Sequence, residues 1–487
     1  MKTIFDSETV ANAVAAPVIR EFDPTGRFWI TAQDAGGYFS PVPFFEGTLV
    51  TDPALLAPFA DDFGHLISRT PLAVLRAGSV DDVVKMVCFA THHGLRIASR
   101  GNAHTAFGQA QTDAGIIIDM SSVNRIHAIT PGYAVVDAGV VWRDLLLATT
   151  AQQLTPPVLT DYTALTVGGT LSVGGVGGRS YRYGTQVDQV LELQVVTGEG
   201  ELITCSASEN SELFDAVLAG LGLCAIIVRA TIRLIPARDR AQTHRLFYPD
   251  APTMLTDLRL VTADERFDYV RGNGAPPPGE EPPTTFVFFI EATTFYTLPD
   301  ELPDNPLADL HFIGGMEQVE DRTYFEFTDI VVQLFTALDA AGLGHLPHPW
   351  LDLLVADTRM DRFVSETIAR LDPAQFLPGS LMLFYPLVTA RLTHPLFRVP
   401  DEDQFFLFDI LRTVPSDPAV IGNVLAENRH LYEQNRALGG TFYTISAVPM
   451  DAHDWQRHFG RVWHDLERVK RRYDPGNVLG AGLSVFG

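Results

Sequence analysis

The chain has 487 residues, more than one hydrophobic core accommodates, and this length predicts two or three domains. Hydrophobic residues make up 46% and charged residues 19%, a balance typical of a packed globular protein that argues against extensive disorder. The formal net charge of −24 repels phosphate backbones and anionic lipids, so we expect no nucleic acid and no membrane as partner.

The cysteines and the first residues bear on the compartment. Cys88, Cys205 and Cys224 show neither metal-ligand spacing nor the even count of a disulfide framework, so we expect three buried thiols in a reducing compartment. Residues 1–24 lack a basic start followed by an apolar run, and no stretch approaches the ~20 apolar residues of a membrane span. These features predict a cytoplasmic protein.

The first half of the chain alternates short strands and helices. Residues 75–98 have the pattern of strand, helix and strand, with Ser79 as the helix N-cap and Gly94 after the helix end. The remaining predicted elements are strands at 115–121, 133–142 and 226–237, helices at 142–154 and 209–222, and a hairpin at 190–206. The 209–222 helix has a start resembling a capping box. This alternation predicts an α+β or α/β domain of roughly 230 residues.

The pattern changes near residue 236, where a second region of sheet and helix begins. A loop rich in proline and glycine is predicted at 273–283, and a strand at 285–296. Near the C-terminus, residues 454–475 have the apolar spacing of one helix, which Pro475 ends. We therefore expect a second domain after residue 236.

The stretch SRGNAHTAFGQAQ, residues 99–111, places His104 among small residues. Such a turn lets a large, flat ligand approach the backbone. The imidazole alone could be a metal ligand, a base or a covalent attachment site. No second histidine, cysteine or carboxylate stands at a ligand spacing nearby, so we expect no metal.

A second glycine-rich stretch, TVGGTLSVGGVGGRS at residues 166–180, follows Asp161. Its backbone amides could bind a phosphate, or the stretch could be a tight structural turn. It is not a Rossmann fingerprint, because no clear strand precedes it, and this argues against a nicotinamide-dependent dehydrogenase. Asp161 itself is either a turn residue or, when desolvated beside a cofactor, a proton acceptor.

Several motifs, taken in chain order, resemble one family. They are RGNAHT (100–105), GQAQ (108–111), LTDYTALTVGGTLSVGGVGG (159–178), VLELQVVTGEGELITCSASENSELFDAVLAGLG (190–222), LPHPWLDLLV (346–355), LFYPL (383–387), WQRHFGRVW (455–463) and YDPGNVLGAGLSVF (473–486). Together they are similar to the cytokinin dehydrogenases, flavoproteins of the vanillyl-alcohol-oxidase type with a PCMH-type FAD-binding domain. The resemblance covers nearly the whole chain.

The resemblance implies a two-domain α+β flavoprotein fold. Residues 1–236 and 440–487 would form the FAD-binding domain. Residues 237–439 would form a cap domain, an antiparallel sheet flanked by helices, over the isoalloxazine ring. FAD would be bonded covalently through a ring nitrogen of His104 to the flavin 8α-methyl. No cysteine between residues 88 and 205 could form a second bond.

The resemblance also implies the residues of the site. FAD would be lined by Ser99, Arg100, Gly101, Asn102, Ala103, Thr105, Gln109, Asp161, Thr166, Gly168, Gly169, Ser172, Val176 and Ile227. Asp161 would take the proton of the substrate's secondary amine while hydride leaves the adjacent carbon for flavin N5. The resulting imine would hydrolyse to an amine and an aldehyde. Arg271, Trp350 and Asp352 would contact the substrate.

Three departures from the family pattern bear on the ligands. Asp352 stands where the family has asparagine, and Leu483 stands where it has a glutamine that contacts FAD. Arg271 stands where the family has the glutamate that holds the adenine ring of cytokinins, unless it is instead a surface residue. A guanidinium supplies only donors, so the substrate is either a cytokinin or another amine whose acidic group pairs with Arg271.

We therefore expect an FAD-dependent oxidoreductase that oxidises the C–N bond of a small secondary amine and passes electrons to oxygen or a quinone-like acceptor. One alternative is the oxidation of an alcohol or another C–H bond in specialised metabolite biosynthesis. A second alternative is a flavoprotein that binds a ligand without catalysis.

Overall fold

The computed structural model describes residues 19–31 and 39–486. Most of the stretch in which we expected no leader, residues 1–18, lies outside this part. The first region contains strands β1 Ile19–Asp23, β2 Phe28–Thr31, β3 Ser40–Pro41, β4 Thr48–Val50, β5 Ala73–Arg76, β6 Ile97–Arg100, β7 Ile116–Asp119, β8 Ile126–Thr130, β9 Tyr133–Asp137, β10 Leu154–Thr155, β11 Val190–Thr197, β12 Leu202–Ser206, β13 Ala225–Arg233 and β14 Ile235–Pro236. Its helices are α1 Pro53–Leu56, α2 Val80–His92, α3 Trp142–Thr150, α4 Val167–Leu171, α5 Ser180–Tyr183 and α6 Ser211–Val217.

The second region begins with a long strand and ends with two helices. Its strands are β15 Arg240–Tyr248, β16 Tyr269–Ala275, β17 Val287–Tyr296, β18 Gln318–Thr323, β19 Leu351–Ala356, β20 Leu381–Val388, β21 Gln404–Leu411 and β22 Thr441–Phe442. Its helices are α7 Ala251–Asp264, α8 Tyr324–Ala340, α9 Asp357–Ile368, α10 Pro418–Ala437, α11 Ala452–Phe459 and α12 Trp463–Tyr473.

A small sheet with the order β4-β5-β7-β6 carries the loop of His104. β5 and β6 both pair with β7 in parallel, and α2 is the crossover between them. The Oγ of Ser79 accepts a hydrogen bond from the Asp82 amide, and Gly94 follows the helix at φ +60°, so both predicted helix ends are confirmed. Since β6 ends at Arg100, the His104 loop begins at the carboxyl end of a buried strand.

A second sheet, with the order β12-β11-β13-β9-β8, is antiparallel and supports the glycine-rich stretch. The predicted hairpin at 190–206 is the pair β11 and β12. The start of α4 is held by main-chain bonds, from the Val167 amide to Val140 O and from the Gly168 amide to Ala138 O, each 2.8 Å long. The glycine-rich stretch is therefore fixed against this sheet.

The largest sheet has the order β18-β15-β17-β16-β20-β21-β19-β22 and is antiparallel at each of these pairings. Its two faces are distinguished along β16. A Cβ at Gly272 would lie 2.8 Å from Leu258 of α7, so this residue faces the helices. The neighbouring Arg271 faces the opposite side because side chains alternate along a strand. The antiparallel sheet flanked by helices confirms the predicted α+β class.

Two predicted helices differ from the structure. Residues 454–475 form α11 and α12 with a 3-10 turn at Gly460–Val462 between them, because Gly460 takes a positive φ of 50°. The 209–222 helix covers only α6, and Asn210 precedes it in a left-handed conformation without a side-chain cap. The chain leaves α6 to pair with α4, through the Ala219 amide to Leu171 O at 2.9 Å.

The prediction of three buried thiols is wrong for Cys88, which is exposed on α2, whereas Cys205 and Cys224 are buried. In the described part of the chain, no helix is both long and apolar enough to cross a membrane. The domain boundaries at 236 and 440 stay predictions. Strand β22, just after the second boundary, hydrogen-bonds to β19 of the large sheet.

Candidate active site

A cavity of about 560 Å³ lies between the large sheet and the glycine-rich stretch. It is lined by all the residues predicted for the cofactor and the substrate: Ser99, Arg100, Gly101, Asn102, Ala103, His104, Thr105, Gln109, Asp161, Thr166, Gly168, Gly169, Ser172, Val176, Ile227, Arg271, Trp350 and Asp352. Leu483 lines it as well. Residues separated by hundreds of positions in sequence therefore meet at one site.

One wall of this cavity is built mainly from backbone. Gly101, Gly168 and Gly169 line it. A Cβ at Gly101 would lie 2.0 Å from Thr166 Oγ1, so this glycine lets two lining segments pack closely. Having no side chains, these glycines also expose main chain to a ligand in the cavity.

Some predicted cofactor residues use their side chains to hold the protein together. The Arg100 guanidinium donates to the carbonyls of Pro58, Phe59 and Asp61. The Gln109 carboxamide donates to the carbonyl of Thr444 at 3.2 Å. The Asn102 amide donates to Ala164 O, and the Ser172 hydroxyl donates to Gly168 O. These side chains shape the wall by fixing neighbouring loops.

The loop of His104 is braced by Asp62. This carboxylate accepts hydrogen bonds from the Thr105 hydroxyl at 2.8 Å and from the Gly108 amide at 2.7 Å. Burial raises the pKa of Asp62 to about 6, although these bonds oppose the shift. Ala103 takes a positive φ of 49°, which turns the chain just before His104. The position of the imidazole is thus set by a buried carboxyl group.

The expectation that His104 has little side-chain bulk around it holds only for its sequence neighbours. Its ring lies 4.0 Å from that of Phe63, 4.7 Å from Tyr162, and 5.6 Å from both Phe335 and Trp350, measured between centroids. Burial lowers the pKa of His104 to about 3, with a smaller effect from His348. The imidazole is therefore neutral at physiological pH and keeps a free lone pair.

Asp161 is not a turn cap, because its carboxylate faces the large sheet. It accepts hydrogen bonds from the Tyr385 hydroxyl at 2.5 Å, from the Tyr269 hydroxyl at 2.9 and 3.0 Å, and from the Arg271 guanidinium. Burial raises the pKa of Tyr269 and Tyr385 well above the ordinary value, so both phenols remain neutral donors. The three donors hold the Asp161 carboxylate in one orientation at the cavity wall.

Arg271 lies inside the cavity, so the alternative of a surface residue is wrong. Its two terminal nitrogens bind Asp161 and Glu291, and Glu291 also binds Arg245 at 2.9 Å. Arg271 and Glu291 are cross-strand neighbours on β16 and β17. Each terminal nitrogen therefore has one carboxylate partner and keeps a second N–H, so the pairing of Arg271 with an acidic group of the substrate stays a prediction.

A pair of carboxyl groups forms another part of the wall. Asp352 on β19 and Asp409 on β21 are directly opposite each other, and only 2% and 4% of their surfaces are exposed. Burial raises the pKa of both groups, and the neighbouring Asp352 raises that of Asp409 further. The Ser446 hydroxyl donates to Asp352 at 2.8 Å. The pair therefore shares a proton near neutral pH.

Sequence reasoning missed several groups of this site. Glu291 and Asp409 are identified only by strand pairing. Glu291 lies opposite Arg271, and Asp409 lies opposite Asp352. Tyr269 could have been found from its place two positions before Arg271, which puts both side chains on one face of a strand. Tyr385 belongs to the LFYPL motif but received no role. In the described residues, no group of three or more histidine, cysteine or acidic side chains could hold a metal ion.

Comparisons with known proteins agree with this architecture. Residues 71–206 match the family model described as an FAD binding domain, and residues 280–486 match the model described as "Cytokinin dehydrogenase 1, FAD and cytokinin binding". The first match contains His104 and Asp161, and the second contains Trp350 and Asp352. Arg271 lies between the two matched ranges.

Three relatives match along most of their length. The chain is 37% identical to an uncharacterized oxidoreductase, ORF5 in the fasciation locus of Rhodococcoides fascians, over 90% of this chain and 99% of that protein. It is 35% identical to cytokinin dehydrogenase 1 of Oryza sativa subsp. japonica, over 94% and 97%. It is 31% identical to cytokinin dehydrogenase 2 of Arabidopsis thaliana, over 90% and 93%. The chain therefore belongs to the cytokinin dehydrogenase family and is an FAD-dependent oxidoreductase with the two-domain fold of that family.

Proposed function

We propose that the protein oxidises a small secondary amine at the carbon beside the nitrogen. The observation that supports this proposal best is the carboxylate of Asp161, held by three donors at the wall of the cavity that His104 also lines. Such a carboxylate can accept the amine proton. FAD, when bound, supplies the hydride acceptor.

The residues present fit FAD, and we propose that His104 bonds to it covalently. Gly101, Gly168 and Gly169 line the cavity without side chains, so a flat ring system and its phosphates can approach the backbone there. The imidazole of His104 is neutral, and neither ring nitrogen is hydrogen-bonded to a described residue, so a lone pair is free to form a bond. The surrounding aromatic rings of Phe63, Tyr162 and Trp350 orient the imidazole.

The role proposed for Asp161 depends on its three donors. Tyr269, Tyr385 and Arg271 fix the orientation of the carboxylate, so that it is positioned to accept a proton from an amine nitrogen. Arg271 acts through Asp161 and is a positioning residue. Glu291 neutralises the other end of its guanidinium, which leaves the group of four charges from Asp161 to Arg245 without net charge.

The cavity also indicates the class of substrate. The face of α8 that lines it is apolar, with Ile330, Val331, Leu334 and Phe335. The opposite wall carries the proton-sharing pair of Asp352 and Asp409. We therefore propose an amine with an apolar substituent and a polar ring, a description that cytokinins meet. The relatives from rice and Arabidopsis carry the name cytokinin dehydrogenase.

Product analysis tests the proposed reaction. Purified protein is incubated with isopentenyladenine and a quinone-like dye, with alcohol analogues of the same side chain in parallel. The proposal predicts one equivalent each of free adenine and aldehyde per two electrons accepted, and a loss of this activity in Asp161→Asn. Oxidation of the alcohols alone would contradict amine oxidation and favour the alternative of an alcohol oxidase.

The electron acceptor and the location are two further proposals. We propose oxygen or a quinone-like molecule as electron acceptor. A comparison of turnover in air and under argon with added quinone distinguishes the two.

We also propose that the protein works in the cytoplasm. Fractionation of cells followed by immunoblotting tests this location.

A further inference from the structure

A second cavity, of about 120 Å³, adjoins the Asp161 network on the side of β15 and β18. Asp161, Arg271 and Glu291 line both cavities. One of its lining residues, Glu320, is exposed on the edge strand β18, so this end of the second cavity lies close to the surface.

Arg179 in this second cavity is a buried cation without a carboxylate partner. Only 8% of its surface is exposed, and in the described part of the chain no acidic side chain lies within ion-pair distance of it. Its Nε is buried without a hydrogen-bond partner. The guanidinium lies 4.8 Å from the ring centroid of Tyr183 and 5.2 Å from that of Phe295. Arg179 does not line the main cavity.

The charges around the second cavity do not cancel. Four arginines line it, namely Arg179, Arg245, Arg271 and Arg322, against the three carboxylates Asp161, Glu291 and Glu320. Each of the other arginines has a carboxylate, since Arg245 binds Glu291, Arg271 binds Asp161 and Glu291, and Arg322 binds Glu320. The surplus positive charge is therefore that of Arg179.

A buried guanidinium cannot relieve this imbalance by losing its proton. Aromatic faces attract the cation but leave its N–H donors unsatisfied. A buried charge without a partner is strongly unfavourable, so a counter-ion is expected. The cavity of about 120 Å³ has room for a small oxyanion.

We propose that the second cavity is a binding site for a small oxyanion, of the size of acetate or phosphate, held by Arg179. The fork of its N–H donors matches two oxygens of such an anion. Thr243 and Thr328 line the same cavity, but their hydroxyls are already bonded to Thr293 and to the carbonyls of Tyr324 and Phe325, so Arg179 is the donor that the site depends on. The site stands independently of the proposed reaction, because its evidence is the unpaired charge and the cavity around it.

Thermal unfolding of the purified holoenzyme tests this site. Phosphate and acetate are titrated at constant ionic strength against sodium chloride, whose anion cannot present two oxygens to the guanidinium of Arg179. We expect a saturable rise in Tm of about 2–4 °C in the wild type, because a ligand bound only by the folded state stabilises it. The rise disappears in Arg179→Met and persists in Arg362→Met, which removes an exposed arginine of α9.

Anomalous diffraction gives a second readout that does not need a variant to fold. In crystals of the wild type soaked in selenate, we expect an anomalous peak in the second cavity within hydrogen-bond distance of Arg179. Three results would each overturn the proposal. They are a Tm of the wild type that does not change with phosphate or acetate, a rise in Tm of equal size in Arg179→Met, and the absence of an anomalous peak in the second cavity at saturating selenate.

Discussion

At the scale of single residues, the site depends on groups whose charge is set by partners from distant parts of the chain. His104 is neutral because it is packed against aromatic rings, whereas the carboxylate of Asp161 is bound by Arg271 and two phenols. The contrast suits the proposed chemistry, since the first residue must offer a lone pair and the second must accept a proton.

The proposed flavin tether is tested at His104. In the wild type we expect yellow colour to remain in the pellet after acid precipitation. His104→Ala removes the only proposed bond, so the flavin moves to the supernatant while the folded protein still binds it. His464→Ala, an exposed histidine of α12, serves as the control and retains the colour in its pellet. Flavin released by acid from the wild type would contradict the tether.

Arg271 has a structural as well as a positioning role. Arg271→Met leaves Asp161 and Glu291 without their shared cation in a buried place, and we expect a loss of about 3–5 kcal/mol in the free energy of unfolding. Arg362→Met removes an exposed partner of Glu366 and should leave the stability nearly unchanged. Urea denaturation followed by circular dichroism measures both. An unaltered midpoint for Arg271→Met would exclude the ion pairs described here.

Tyr385→Phe tests the positioning of Asp161 separately from the stability of the ion pairs. This variant keeps the ring and removes one donor from Asp161, so kcat should fall by about tenfold with little change in KM. Tyr296→Phe, which loses a bond to Asp321 at the edge of the large sheet, is the matched control and should keep its kcat. A rise in KM with unchanged kcat would indicate that Tyr385 contacts substrate instead.

At the scale of elements, strand pairing brings together the groups that neither strand reveals alone. Arg271 meets Glu291 across β16 and β17, and Asp352 meets Asp409 across β19 and β21. In each pair one residue, Arg271 or Asp352, was predicted from the sequence. Its partner, Glu291 or Asp409, was not. Cross-strand neighbours lie about 5 Å apart, so their charges are strongly coupled.

The Asp352 and Asp409 pair predicts a dependence of stability on pH. Burial raises the pKa of Asp352 from 3.8 to about 7, so the folded state binds more protons than the unfolded state between these values. Stability is therefore greatest below this window and falls as the pH rises through it. Asp352→Asn removes the titrating group, and we expect it to be more stable than the wild type at pH 8 by about 1–3 kcal/mol.

Urea denaturation of both proteins at pH 5 and pH 8 measures this effect. Asp361→Asn, on the exposed side of α9, is the control and should follow the wild type at both pH values. If Asp352→Asn is instead less stable than the wild type at pH 8, the carboxyl pair is ionised and stabilising in the folded state, and the raised pKa is contradicted.

At the scale of the whole molecule, contacts across the two regions hold the cavity together. Arg143 on α3 forms a bidentate ion pair with Asp329 on α8, with distances of 2.5 and 3.1 Å. Gln109 ties the His104 loop to the carbonyl of Thr444. The cavity thus lies where the flavin-binding motifs of the first region meet the sheet of the second.

Much of this arrangement was predictable from sequence, because the residues that begin and end these elements lie within the same short stretches of the chain. The ends of α2 follow from Ser79 and Gly94, and the hairpin of β11 and β12 follows from its turn glycines. The break at Gly460 was missed because the apolar spacing continues on both sides of it. The partners of His104 and Asp161 could not be predicted, since they come from strands and loops up to 246 residues away, as Trp350 does.

Anaerobic reduction of the bound flavin by isopentenyladenine, followed by stopped-flow absorbance, tests both amine oxidation and the role of Asp161 as proton acceptor. We predict that the wild type bleaches within seconds and that Asp161→Asn, with its flavin still bound, bleaches about 10²–10⁴-fold more slowly, as expected for the loss of a general base. A flavin that stays oxidised with isopentenyladenine and with other secondary amines, or an Asp161→Asn variant that bleaches at the wild-type rate, would contradict the account.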